Sequence, residues 1–186
     1  MSRFGALVAA LCLGLAGCGN SRTPAPSLTR PATAGPLRLL SYPAAGVSFT
    51  APRSWTLIPE PAPVVTVLAS GGAVVSVWRY PLSGRAPVGT QQLEAARRSL
   101  IAATRARDRN IIVLGSRLLK IDGSPAVELS SIEQVDGQPR RSRATHVFAA
   151  RSEIVVDEYA PVGAFGAVDA AVFAPLDHSL VISPSA

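Results

Sequence analysis

The chain has 186 residues, 48% of them hydrophobic and 16% charged, and carries 18 Lys plus Arg against 12 Asp plus Glu for a formal net charge of +6. That length suits one domain with a sizeable core. Both cysteines, Cys12 and Cys18, stand in the N-terminal segment, so the rest of the chain has no disulfide, thiolate metal site or cysteine nucleophile.

In chain order, Arg3 supplies a positive start, Ala6 to Leu15 are apolar, and small residues precede Cys18. This is the order of a secretory signal and its cleavage zone. The stretch is too short to cross a bilayer, which takes about 20 apolar residues. Leu15-Ala16-Gly17-Cys18 resembles the lipobox of bacterial lipoproteins. The resemblance implies cleavage before Cys18, a diacylglycerol on its thiol, and a fatty acid such as palmitate on the new N-terminus. Residues 1–17 are then the signal peptide, and the protein is held at the extracytoplasmic face of the cell membrane. Two or more acyl chains hold durably, at about 0.8 kcal/mol per buried methylene. An ordinary signal cut elsewhere is the alternative.

Residues 18–41 read as the lipidated N-terminus and a linker. Pro24, Pro26, Pro31 and Pro36 alternate with Ser, Thr and Ala, which favours an extended chain over a packed one. Near full extension it reaches on the order of 70 Å. The folded domain is placed at 42–186. Short strands are predicted at Gly46-Val47-Ser48-Phe49 and from Trp55 to Ile58, and a hairpin joins Val64–Leu68 to Ala73–Tyr80 through Gly71-Gly72. Thr90 is expected to cap a helix from Gln91 to about Arg107, with Leu93, Ala96, Leu100 and Ala103 on one face, Ile101 at its edge, and Glu94 facing Arg98. A strand opens at Ile111-Ile112-Val113 and runs to Ile121, where Asp122-Gly123-Ser124-Pro125 turns the chain. Ala126–Val135, Gln138–Ala149 and Glu153–Ala160 form a meander, turning at Asp136-Gly137 and Arg151-Ser152. Phe165, Val168, Val172, Phe173 and Leu176 mark a last helix, which Pro175 should kink or end. This order predicts an α+β domain with a central antiparallel sheet flanked by helices.

The elements, in this order, resemble the PsbP-like superfamily, and among its members the LpqN-type lipoproteins of actinobacteria. The residues that carry the resemblance are Gly46-Val47-Ser48-Phe49-Thr50-Ala51-Pro52 with Arg53-Ser54-Trp55, Ile121-Asp122-Gly123-Ser124-Pro125-Ala126, Tyr159-Ala160-Pro161, and Phe173, Leu176, Ser179 and Leu180. The resemblance implies a domain that binds partners or stabilises assemblies, in envelope assembly or maintenance; it does not imply a catalytic site, and no cofactor is expected.

The residues themselves offer little chemistry. With a two-residue turn at Arg151-Ser152, His146 would face Asp157 across two strands, and Tyr159 would lie near Ala144. This pairing would suit a hydrolase only with a nucleophile beside it. His178 next to Asp177 points away from it on a helix, and no metal motif is present. Trp55, Trp78, Tyr80 and Tyr159 read as core and sheet packing. Arg97, Arg98, Arg105 and Arg107, with Arg109 beyond them, and Arg140, Arg141 and Arg143 form the candidate surface for an anionic partner. The expected partners are the membrane through its anchor and an envelope protein, lipid or glycolipid, but no nucleic acid, for a monomeric domain. Two alternatives stay open. One is a carrier holding an apolar or lipid ligand between sheet and helix, and the other is a hydrolase using His146 and Asp157.

Overall fold

The computed structural model describes residues 30–31, 34–149 and 151–183. Strands β1 (Leu37–Tyr42), β2 (Val47–Pro52) and β10 (Val181–Ile182) form a small antiparallel sheet in the order β1-β2-β10. Strands β3 (Thr56–Ile58), β4 (Val64–Ser70), β5 (Ala73–Pro81), β6 (Ile112–Ile121), β7 (Ser124–Val135), β8 (Gln138–Ala149) and β9 (Ser152–Pro161) make the large sheet. Its order is β3-β4-β5-β9-β8-β7-β6, with every pair antiparallel. The expected α+β class with a central antiparallel sheet is what the chain adopts.

Alternation along the strands divides the large sheet into two different faces. One face packs under the small sheet and the C-terminal helix. Its core joins Val47, Phe49 and Ala51 of β2 to Val75, Val77, Val147, Ile154 and Val156, with Phe165, Val172, Phe173 and Leu176 from the helix. Trp55 belongs to this core, buried and edge-on to Phe173 at 6.2 Å. The other face is covered only in part, by α1 (Thr90–Arg107), whose Leu93, Ala96, Leu100 and Ile101 meet Val127, Leu129 and Phe148.

The two Asp-Gly hairpins form as expected. Asp122, Gly123, Asp136 and Gly137 all take positive φ, the paired left-handed geometry of a two-residue turn. Four expectations are corrected. Leu37–Ser41, assigned to the linker on composition, belong to β1, which pairs with β2 from Leu37↔Pro52 to Tyr42↔Val47. A distant partner strand supplied what local composition did not favour. Thr90 does not cap α1: it is the first helical residue after Gly89, and the Gln92 side chain instead accepts from the Val88 N–H at 2.7 Å. Glu94 pairs with Arg97, three residues on, at 2.7 Å rather than with Arg98.

Pro175 does not end the last helix, although the α-helical geometry is interrupted just before it. The helix runs through α2 (Phe165–Val168), a π-helical turn at Asp169–Phe173 and α3 (Ala174–Ser179). In that wide turn the Ala174 N–H donates to the Asp169 carbonyl, five residues back. The extra width accommodates a proline ring that would clash with the carbonyl four residues earlier in an α-helix.

Candidate binding cleft

Helix α1 lies over β6 and β7 and leaves the same face of β5, β8 and β9 half open. Side chains pointing to that face come from alternate positions. They are Ser76, Trp78 and Tyr80 on β5, Val155, Asp157 and Tyr159 on β9, Ser142, Ala144 and His146 on β8, and Leu129, Ser131 and Glu133 on β7. Between them and Leu100, Ala103, Thr104 and Arg107 of α1 lies a cleft of about 360 Å³. This volume falls in the range of small-molecule sites.

Trp78 and Tyr80 form one wall. Two residues apart on one strand, they lean the same way, with ring centroids 6.2 Å apart and planes within 7° of parallel. They are therefore not simply sheet packing, as their sequence suggested: both line the cleft. The signal was legible as an aromatic-x-aromatic pair, but which face it occupied depended on strand register.

His146 and Asp157 line the same cleft, although not as partners. Ala149 pairs with Ser152, which places the turn one residue earlier than predicted and shifts the β8–β9 register by two. His146 therefore faces Val155, Asp157 faces Ala144, and Tyr159 faces Ser142. The shift is even, so every side chain keeps its predicted face. The partner of His146 is Glu153, whose Oε1 lies 2.7 Å from Nδ1. Arg107 reaches Glu133 at 3.2 Å. Arg107 and His146 are thus each engaged by a glutamate, and Asp157 makes no ion pair or side-chain hydrogen bond among the described residues. Burial raises the Asp157 carboxyl, the nearby Glu133 charge adds to this, and Arg107 and His146 oppose it, leaving it at about 6.

The hydrolase alternative asks for His146 and Asp157 in a cleft beside a hydroxyl. Ser131 and Ser142 supply hydroxyls, but these bond to each other at 2.7 Å. Ser142 stands four residues from His146 along β8, roughly 13 Å at the rise of a strand. A base must come within about 3 Å of the proton it takes. These groups share a cleft but not a catalytic geometry.

The predicted arginine surface divides. Arg98, Arg105 and Arg109 are exposed on or just beyond α1, and Arg97 is half-buried against Glu94 and Ser116. Arg140 is half-buried, and Arg141 is exposed with its guanidinium 4.9 Å from the Phe165 ring centroid. Arg143 is corrected: it is no surface residue but is buried on the opposite face of the sheet. Its Nε donates to Glu158 at 2.8 Å and its Nη1 to Asp169 at 2.6 Å, while Nη2 lies 3.0 Å from Asp177. His178 is exposed. Cys18 lies outside the described residues. No helix among the described residues is long and apolar enough to cross a membrane.

Neither a protein-family model nor a curated protein sequence matches the chain. Solved structures do. Cyanobacterial PsbP (CyanoP) from Synechocystis sp. PCC 6803 superimposes with a TM-score of 0.62 at 14% identity, over 79% of this chain and 92% of that one. LpqN of Mycobacterium tuberculosis, involved in cell envelope biogenesis, gives 0.56 at 12% identity, over 80% and 91%. A Bacteroides thetaiotaomicron protein gives 0.53 at 14% identity, over 79% of this chain and 48% of its own. At these identities the likeness is one of fold, and the fold is that of the PsbP-like α+β domains.

Proposed function

We propose that this is a lipid-anchored protein of the cell envelope, and that its domain is an accessory module that binds a partner without turning it over. The cleft between α1 and the sheet carries this reading. A preformed concavity with an aromatic wall and several polar groups is what a binding site requires. The fold shared with LpqN, a protein of envelope biogenesis, supports an envelope setting by analogy. Away from the cleft, Arg98, Arg105 and Arg109, exposed on or just beyond α1, offer an anionic membrane surface about 1 kcal/mol each. A lipid carrier fits less well, because an acyl chain in this cleft would strip water from Asp157 and His146 without replacing their hydrogen bonds.

A photo-reactive amino acid at Ala103, on the cleft rim, should crosslink an envelope component in intact cells. The same group at exposed Ser54, outside the cleft, should not. Equal labelling from both positions, or none from Ala103, would reject the cleft as the binding surface.

The anchor has its own test. Cys18→Ala should abolish incorporation of an alkyne-tagged fatty acid and release the protein from the membrane fraction. A mature wild-type protein with no label and a free Cys18 thiol would refute acylation.

A further inference from the structure

The charges in the cleft are not balanced. Its two basic side chains are held at the ends of the cleft, Arg107 by Glu133 at 3.2 Å and His146 by Glu153 at 2.7 Å. Asp157 stands between them on the middle strand of the floor, opposite Ala144 on one side and Ser76 on the other. It has no counter-charge of its own among the described residues. Asp157 is half-buried, and a partly desolvated carboxylate without a partner gains from a cation placed beside it. The wall beside it is a pair of parallel aromatic rings, whose faces attract cations electrostatically.

We infer that this cleft binds a small organic ammonium ion, with the charged nitrogen at the Asp157 carboxylate and the apolar body against Trp78 and Tyr80. The inference rests on the reading of the cleft as the binding surface and names its ligand chemistry. A volume of about 360 Å³ admits roughly a dozen water-sized groups, at about 30 Å³ each. That suits a compact amine. A divalent metal ion is a poorer fit, since hard cations require several oxygen ligands and no group of three or more His, Cys, Asp or Glu among the described residues is placed to hold one. Leu100, Leu129 and Val155 supply the apolar contacts that an amine with an alkyl or aromatic body would use. At neutral pH the Asp157 carboxyl, held at about 6, is ionised and able to pair.

The test uses the full acylated chain in non-ionic detergent and titrates it calorimetrically at pH 7.5. The probes are phenethylammonium and its neutral near-isostere 2-phenylethanol. The ammonium should bind at least about tenfold more tightly, the ratio that one charge-assisted contact yields. Asp157→Asn should erase the difference while leaving the alcohol unaffected. This variant removes a burdened charge without changing shape, so a melt at least as high as the wild type is expected and shows that it folds. Equal affinity for the two probes overturns the inference and leaves the cleft as a binding surface. An ammonium preference that survives Asp157→Asn also overturns it, by placing the cation elsewhere. No binding of either probe, with crosslinking from Ala103 intact, overturns the small-cation assignment alone. The loss of both defeats the cleft reading as well.

Discussion

Arg143→Met is expected to lower the unfolding free energy by about 3–5 kcal/mol, the usual cost of removing one partner of a buried ion pair. Arg143 is the one cation among three carboxylates. Its side chain is 9% exposed and that of Glu158 0%, and the two groups meet at 2.7 Å, so little solvent screens them. Asp169 and Asp177, from the π-turn and α3, complete the cluster at 2.6 and 3.0 Å. The arginine therefore ties the C-terminal helix to the middle of the large sheet. Without it, Glu158 must either remain charged in the core or hold a proton there, and the helix loses its charged tether. Domains have only about 5–15 kcal/mol in total, so such a loss is large. Equilibrium urea unfolding measures it. Adding Glu158→Gln to Arg143→Met should recover part of the loss, because the stranded charge goes with it. A cost below about 1 kcal/mol for Arg143→Met would show that the cluster contributes nothing net.

The second large effect is an unusual pH dependence. Asp177 is pushed up to about 6, chiefly by burial and against the pull of Arg143. Asp157 is pushed up to about 6 by burial and Glu133. Burial, with Asp177 adding to it, raises Glu158 well above the ordinary carboxylate range. Each of these groups binds its proton more tightly in the folded state than in the unfolded one. The protein therefore gains stability as pH falls through 6 towards the unfolded values near 4, and loses it again as pH rises. Between pH 7.5 and 5 the melting temperature should increase, where acid ordinarily weakens a fold held by ionised carboxylates. A shift of about two units corresponds to roughly 3 kcal/mol for an isolated buried group. Residual solvent at Asp157 and the shared charges around Asp177 reduce that to about 1–3 kcal/mol for the set. Asp157→Asn should be more stable than the wild type at pH 7.5, with the gap narrowing as pH falls through 6 and closing only below about pH 4, where the unfolded carboxyl is protonated as well. Thermal melts across that range decide the point, and a melting temperature that falls from pH 7.5 to 5 would reject it.

Both effects belong to residues that the sequence displayed but did not interpret. Arg143 lies in the run Arg140-Arg141-Ser142-Arg143, which reads as a solvated face because adjacent arginines normally are one. Period-two alternation alone separated Arg141, exposed on Phe165, from Ser142 on the cleft face. Only the last helix, folded back over the other face, turned Arg143 into a core residue.

What the sequence determined by itself is local. The Asp122-Gly123 and Asp136-Gly137 turns follow from a backbone conformation those residue pairs tolerate, and the meander from the β-branched runs between them. The apolar stripe of α1 follows from a period of 3.6. The last helix was legible in Phe165, Val168, Val172, Phe173 and Leu176, although the π-turn that carries it past Pro175 was not. The tertiary structure decided the rest, because the deciding contacts join residues far apart in the chain. Strand β1 exists because β2 pairs with it, and the offset of α1 over β6 and β7 opens the cleft on β5, β8 and β9. Among the described residues Asp157 is left without an ion-pair partner, because Glu133, 24 positions earlier, takes Arg107, and Glu153 takes His146. Such a balance depends on which charges fold into one enclosure, and no local pattern in the chain records that.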